Sequence, residues 1–294
     1  MSLSGGPPDP GFPEEDRRPR SLGGWSFREE GAKGVAIATL STLIVLVLIA
    51  VAATRSPYWP QFKESFFSRE VFLDSFPDIV RAFLRNIAYF LAAEPVILAF
   101  ALLLAVLRSL RGSVFFPMRL IATIYVDLFR GIPTVLVVYT LGFGIPALHM
   151  PGLPTAGWFW GWVALIMSYS AYVAEVYRAG IDSVHPSQTA AARALGLSRW
   201  ATLRSVVIPQ AVRRVIPPLM NDFISLQKDT ALIAFVAGFN PEAFLEGQII
   251  SAATFNFTPL VGVALCFVVI TIPMTRFTDW LLERQRRRRQ ASAP

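Results

Sequence analysis

Polar side chains interrupt two apolar segments of this 294-residue chain, at positions where they could bind a small charged ligand. Glu94 stands beside Pro95 near the centre of one segment. The other segment contains several hydrogen-bonding and charged residues: Asn221, Asp222, Ser225, Gln227, Lys228, Asp229 and Thr230. Charged groups in an apolar environment are costly, so they usually face a cavity or a partner. On a helix, residues 221, 225 and 228 would share one face, and residues 222, 225 and 229 an overlapping one.

These residue types suit two different roles. One is a polar cavity for a zwitterionic ligand, in which Lys228 would bind the carboxylate and Glu94 or Asp222 the ammonium group. The other is an internal ion pair, such as Glu94 with Lys228, that only holds two helices together. The sequence leaves both roles open. The candidates for a ligand path are Glu94, Asn221, Asp222, Ser225, Lys228 and Asp229.

Several other kinds of chemistry are not expected. The one cysteine, Cys266, lies in an apolar run and cannot form an intramolecular disulfide. The two histidines, His149 and His185, are too far apart in sequence for a typical metal site. There is no glycine-rich ATP-binding motif and no pairing of a nucleophile with a base. We therefore expect no metal, no cofactor, no catalytic residue and no enzymatic activity in this chain.

The composition is typical of a membrane protein. The mean hydropathy is +0.50, and 16% of the residues are charged, whereas soluble domains usually contain about a quarter. The formal net charge of +7 fits the excess of Lys and Arg in cytoplasmic loops of membrane proteins. Nucleic-acid binding is a poor explanation, because no soluble fold surrounds a basic face.

Six apolar segments are candidates for transmembrane helices, since about 20 residues cross the hydrocarbon core. They are residues 34–54, 86–107, 132–148, 161–178, 215–239 and 258–280. We therefore predict an all-α integral membrane protein with six transmembrane helices. The first segment could be a signal peptide, but its apolar run and the preceding tail are too long, which favours an anchor.

The remaining segments were assigned from composition and charge. Arginines place the loop near residues 108–119, the region 178–214 and the C-terminal tail on one side, so we predict that both termini are cytoplasmic. The other assignments are a disordered cytoplasmic tail at 1–33, an external loop at 55–81, an amphipathic helix at 119–131, an outer loop with one or two helical turns at 240–257, and a basic tail at 285–294.

A polar passage between the fourth and fifth segments predicts a short helix, a turn and a second helix. Pro186 would stop the preceding helix, and Ser187 would cap the next one. Gly196 stands where a left-handed residue is needed, and Ser198 could cap the second helix, whose continuation Pro209 would interrupt. Such a passage is either a solvated loop or a docking site for a soluble partner.

This passage resembles the cytoplasmic coupling loop of bacterial ABC-importer permeases. That family shows Glu-Ala-Ala, three residues, Gly, nine residues, Ile, one residue, and Leu-Pro. Here the spacing is kept by Ala190-Ala191-Ala192, Gly196, Val206 and Ile208-Pro209. Four stretches resemble the polar amino-acid branch of the family: YVDLFRGIPTVLVV (125–138), SAYVAEVYRAGIDSV (170–184), AARALGLSRW (191–200) and PPLMNDFISLQKDTAL (217–232).

The resemblance covers about residues 82–284 and implies a five-helix type I importer core with one additional N-terminal helix. It implies three kinds of protein partner in a bacterial cytoplasmic membrane: a dimer of ATP-binding subunits, a second permease subunit and an extracytoplasmic substrate-binding protein. The helix at 187–196 would then couple the permease to ATP hydrolysis in the partner subunit. The residues carried over to that role are Ser187, Ala190, Ala191, Ala192, Arg193, Gly196 and Pro209.

One departure and one alternative follow from this comparison. Ala190 replaces the family's glutamate, which would stand at capping-box spacing from Ser187. The loss is about 1 kcal/mol or less, so we expect coupling to survive. The alternative function is a proton-coupled carrier for a small polar solute, with Glu94 and Asp222 as the relay, although no internal repeat is visible. Near the cytoplasmic side, Glu175, Arg178, Asp127 and Arg130 are expected to form ion pairs within the permease, and contact with the substrate is the alternative.

Overall fold

The computed structural model describes residues 32–110, 112–238 and 240–291 in two units, which divide after Trp59. The described residues contain helices and no β-strand. The first unit contains helix α1 (Ala32–Thr54), whose residues from 35 to 54 are exposed on every side. A predominantly apolar helix of this length fits the predicted anchor. The predicted tail at 1–33 lies almost wholly outside the described residues.

The second unit contains the remaining helices. They are α2 (Trp59–Phe67, beginning at the boundary), α3 (Arg69–Ser109), α4 (Phe116–Gly131), α5 (Thr134–Ala147), α6 (Gly157–Asp182), α7 (Pro186–Ala194), α8 (Arg199–Thr202), a π-helical turn (Leu203–Val207), α9 (Ile208–Asp229), a 3-10 segment (Thr230–Val236), α10 (Ala243–Thr254) and α11 (Thr258–Ala291).

The predicted spans all coincide with helices, but length and composition identify fewer than six membrane-crossing helices. Three described helices or helix runs qualify: Gly34–Thr54, Trp59–Ser109 and Thr258–Arg284. A fourth is obtained if α4 and α5, which meet at an angle of 104°, are counted as one span. Pro133 explains this bend, because the residue before a proline avoids helical geometry and Ile132 is extended. The count of six therefore remains a prediction.

Two segments predicted as loops are more helical than expected. The segment 55–81 is mostly helical, because α2 and the first part of α3 occupy it, and its place outside the membrane stays a prediction. Ser68 begins α3 as its N-cap, with its Oγ accepting a hydrogen bond from the Val71 N–H at 3.5 Å. In the predicted outer loop, α10 has 12 residues rather than one or two turns. The first part of α3 packs against α11, and α10 packs against both α3 and α11, which stabilises helices that composition alone made doubtful.

Helix α6 lies at the centre of the core, between α3, α4, α5 and α9. Its small residues Ala164, Ala171 and Ala174 are fully buried, which allows neighbouring helices to approach closely. The end of the 3-10 segment also packs closely against small residues of neighbouring helices. A Cβ added to Gly142 in α5 or to Gly161 in α6 would lie 2.6 Å or 2.7 Å from side-chain atoms of Val236. Glycine is therefore needed at both positions for this packing.

A buried polar network joins α3 to the 3-10 segment and α10. Asn86 Nδ2 donates to Glu242 Oε2 at 2.7 Å and to Thr230 Oγ1 at 3.1 Å, while Asn86 Oδ1 accepts from the Ala243 N–H at 3.0 Å. Glu242 also caps α10 by accepting from the Leu245 N–H at 2.9 Å. Burial raises the pKa of the Glu242 carboxyl, and the hydrogen bonds it accepts oppose that shift. This network fixes α10 on the unit.

Candidate functional site

The predicted docking helix exists as α7, but His185 rather than Ser187 caps it. Pro186 occupies the first helical position, where its missing N–H is not needed. The His185 Nδ1 accepts from the Ser187 N–H at 3.2 Å and lies 2.7 Å from Ser187 Oγ. The assignment of Ser187 as the cap was wrong because the helix begins at Pro186, two residues earlier than a cap at Ser187 allows.

Because His185 is the cap, Ala190 does not stand at capping-box spacing from the cap residue. With His185 as the cap, the third helical position is Gln188, and Ala190 lies two residues further along. Ala190 and Ala191 are exposed, whereas Ala192 is 5% exposed. A glutamate at position 190 would not reach back to the cap, so the absence of glutamate costs no cap hydrogen bond here.

The C-terminal end of α7 confirms the prediction for Gly196. Its φ of +85° lies in the left-handed region. The Gly196 N–H donates to the Arg193 oxygen at 3.0 Å, and the Leu197 N–H to the Ala192 oxygen at 3.2 Å. These two bonds form a Schellman turn, which satisfies the last carbonyls of the helix. Helix α7 is thus capped at both ends, and most of its surface is exposed.

The following turn confirms one further cap and locates Pro209. Ser198 caps α8, since its Oγ accepts from the Ala201 N–H at 3.2 Å. The chain then passes through the π-helical turn into α9, and Pro209 lies in the first turn of α9. The predicted interruption is therefore a wide π turn followed by a proline, and Pro217 and Pro218 lie inside α9.

Two large apolar side chains in this region were missed by the sequence reasoning. Leu195 is 84% exposed and Trp200 is 66% exposed, on either side of the Gly196 turn. Large exposed apolar groups are typical of contact surfaces for other proteins or for membranes. Their signal in the sequence was a leucine and a tryptophan within an arginine-rich loop that has no apolar periodicity of its own.

An ion-pair cluster lies where α3, α4 and α6 end. Glu175 Oε2 is 2.7 Å from Arg108 Nη1 and 3.7 Å from Arg130 Nη1, and its other oxygen pairs with Arg178. Arg178 also pairs with Asp182 at 2.8 Å. Internal pairing is confirmed for Glu175 and Arg178. Arg130 pairs with Glu175 rather than with Asp127, which is exposed and forms no ion pair with the described residues.

The structure brings together only part of the predicted ligand path. Glu94 is 8% exposed and interacts electrostatically with Asp222, whose Oδ2 is buried without a hydrogen-bond partner among the described residues. Asp229 accepts a hydrogen bond from the Tyr169 hydroxyl at 2.8 Å. Ser225 is partly buried, while Asn221 and Lys228 are exposed.

The alternative ion pair between Glu94 and Lys228 is not formed in the described part of the chain. Glu94 is buried, whereas Lys228 is exposed on α9 and interacts electrostatically with its neighbour Asp229. The Glu94 carboxyl, which is buried, and the Asp222 carboxyl, which is partly buried, form no ion pair with the described residues. Such a pair attracts a cationic group.

Comparison with known protein families decides between the two functional classes. Residues 71–287 match the family described as "Binding-protein-dependent transport system inner membrane component". The chain belongs to this family. It is the permease subunit of an ATP-driven importer and a multi-pass inner-membrane protein. The proton-coupled carrier is therefore rejected as the alternative function.

Individual relatives of this permease are consistent with that assignment. It is 35% identical to the "Probable glutamine ABC transporter permease protein GlnM" of Bacillus subtilis strain 168, over 66% of this chain and 88% of the relative. It is 29% identical to the "Probable amino-acid permease protein YxeN" of the same organism, over 73% of this chain and 94% of the relative.

Two solved structures share the fold of this permease. One is described as the "Crystal structure of an amino acid ABC transporter with histidines", with a TM-score of 0.65 and 29% identity, covering 72% of this chain and 96% of that chain. The other is an inward-facing methionine ABC transporter, MetNI, with a TM-score of 0.56. At 17% identity, covering 70% of this chain and 95% of that chain, it supports the fold alone.

The family assignment also defines what is additional in this permease. The matched region begins at residue 71, so α1 and α2 lie before it. The family works with an ATP-hydrolysing subunit and a substrate-binding protein, and the permease itself is a transport component rather than an enzyme.

Proposed function

We propose that this permease translocates a polar or charged amino acid, or a close derivative, and that α7 couples it to ATP hydrolysis in a separate subunit. The observation that carries the coupling role is the geometry of α7, which is closed at both ends and exposes most of its surface. The substrate class is supported by the named amino-acid and glutamine relatives.

The docking surface for the ATP-binding subunit would consist of α7 and the turn that follows it. Exposed alanines allow close approach of a groove, and Arg193 supplies charge. Leu195 and Trp200 add apolar area of the kind that anchors an interface. The proposed coupling residues are those named from the resemblance, together with these two: Ser187, Ala190, Ala191, Ala192, Arg193, Leu195, Gly196, Trp200 and Pro209.

The substrate path would pass the buried carboxyls of α3 and α9. Glu94 and Asp222 would bind the ammonium group of a zwitterion, since the two carboxyls interact with each other and neither forms an ion pair with the described residues. Lys228, an exposed residue of α9, would bind the carboxylate of the same ligand. Asn221, Ser225 and Asp229 complete the proposed path on the same helix.

The proposed assembly contains two permease subunits, two ATP-binding subunits and an extracytoplasmic binding protein. The second permease is either an identical copy or a relative. We infer that both termini and α7 lie in the cytoplasm, because the arginine-rich segments lie on one side of the predicted spans. Labelling an engineered cysteine at position 193 with an impermeant reagent tests this. Reaction in intact cells would contradict the orientation.

The decisive experiment is ATP hydrolysis by the purified complex in lipid, with its ATP-binding subunit and binding protein, across a panel of amino acids. We expect one class of amino acid to stimulate hydrolysis. If the ATP-binding subunit co-purifies but no amino acid stimulates it, the substrate class is wrong. If no ATP-binding subunit associates, the proposed role of α7 is wrong.

A further inference from the structure

The Glu175 carboxylate is shared by the ends of three helices. It lies in the last two turns of α6, while Arg108 and Arg130 lie in the last turns of α3 and α4. Its Oε2 is 2.7 Å from Arg108 Nη1 and 3.7 Å from Arg130 Nη1, and Arg178 of the same helix binds the other oxygen. One carboxylate therefore pairs with arginines from two other helices.

This cluster differs from an ordinary surface salt bridge. The Glu175 and Arg108 side chains are only 20% and 13% exposed, so water screens their attraction less than at the surface. Without the Glu175 charge, three guanidinium groups would face one another at the ends of three helices. Repulsion between them would favour separation of α3 and α4 from α6.

Hydrogen bonds continue from the cluster to the base of α7. Arg178 pairs with Asp182, the last residue of α6, at 2.8 Å. The next residue, Ser183, accepts a hydrogen bond through its carbonyl oxygen from Arg214 of α9. Pro186 then begins α7 three residues later. Residues 183–185, which connect α6 to α7, thus follow a residue that pairs with the cluster and are also hydrogen-bonded to α9.

We propose that Glu175 is a positioning residue that makes α3 and α4 follow the end of α6 when α7 moves. This inference rests on the proposed coupling role of α7. Side-chain networks carry coupling when they join elements that move together, and a charge shared by three helix ends meets that condition. Loss of the charge lets α7 and α6 move without α3 and α4, so ATP is hydrolysed with little transport.

The test measures uptake per ATP hydrolysed by the complete complex in proteoliposomes, with its binding protein and a radiolabelled mixture of the proteinogenic amino acids. We expect Glu175→Gln to lower this ratio about tenfold, while ATP hydrolysis and co-purification of the ATP-binding subunit are retained. Glu175→Asp, which keeps the charge, should restore most of the ratio. Asp127→Asn is the matched control, because it removes an exposed carboxylate of α4 that forms no ion pair with the described residues, and we expect the ratio to stay unchanged.

The outcomes separate the two proposals. If wild-type uptake is coupled to ATP but Glu175→Gln leaves the ratio unchanged, or lowers hydrolysis and uptake equally, the role of Glu175 is overturned. If Glu175→Asp fails to restore the ratio, charge is not the cause. If wild-type uptake does not depend on ATP, the coupling role of α7 itself is wrong. Should Glu175→Gln fail to accumulate, Arg108→Gln tests the same link from α3 and must show the same loss of ratio.

Discussion

The loop that contains α7 and the outer segment that contains α10 satisfy their polar groups in opposite ways. Around α10, Asn86, Thr230 and Glu242 are at most 1% exposed and bind one another. Around α7, the helix ends are capped locally, while Leu195, Trp200 and most of the helix surface are exposed. The α10 segment thus satisfies its polar groups within its own chain, whereas we expect the exposed surface of α7 to be covered by another protein.

The largest effect is expected from breaking the internally completed region. Asn86→Ala leaves the Glu242 carboxyl and the Ala243 N–H buried without their partner, which costs about 3 kcal/mol of stability. The measurement is thermal unfolding in detergent, or the yield of folded protein. Asn221→Ala is the matched control, because Asn221 is exposed and its loss should change stability by less than about 0.5 kcal/mol. Equal effects of both substitutions would contradict the comparison.

The next largest effect concerns the turn after α7. Gly196→Val forces a β-branched residue into a left-handed conformation, at a cost of about 1–2 kcal/mol, and distorts the turn between Leu195 and Trp200. We expect affinity for the ATP-binding subunit to fall about tenfold or more, measured by titration of the reconstituted complex. Gly131→Ala is the control, because a Cβ there meets nothing within 4 Å. Normal association and uptake in the Gly196 variant would refute the turn's role.

A smaller effect is expected for the exposed apolar pair. Trp200→Ala should weaken binding of the ATP-binding subunit by about 2 kcal/mol, as truncation of an interface anchor does, without lowering the unfolding temperature of the isolated permease. Phe255, which is 93% exposed at the end of α10, provides the control in the other region. If Phe255→Ala weakens this binding as much as Trp200→Ala, the docking surface has been placed wrongly.

The smallest effect is expected at the position where the chain departs from its family. Ala190 is exposed and lies beyond the first turn of α7, so Ala190→Glu should change stability by less than about 0.5 kcal/mol. Uptake should be retained. Abolished uptake in this variant would show that the alanine is needed in the groove of the partner, and that the α7 surface is more specific than its exposure indicates.

The sequence by itself determined the features that depend on neighbouring residues. Apolar length marked helices in each predicted span, and the need for a left-handed residue placed the turn at Gly196. Ser198 was recognised as a cap for the same reason, since its partner is the backbone three residues later. The ion pairing of Glu175 within the permease also followed from its position near Arg178 at the end of an apolar segment.

Contacts between distant residues were decided only by the tertiary structure. Asn86 and Glu242 are 156 positions apart, and nothing local marks either as a partner of the other. Glu94 lies near Asp222 rather than Lys228 because the rotation of α9 about its axis, set by packing against α6, decides which face meets α3. The cap of α7 and the helices within 55–81 were missed because the local sequence is compatible with several structures. Cap geometry and helix packing decide which of these structures forms. Local propensity thus fixed where helices can form, while packing fixed which of their polar faces meet.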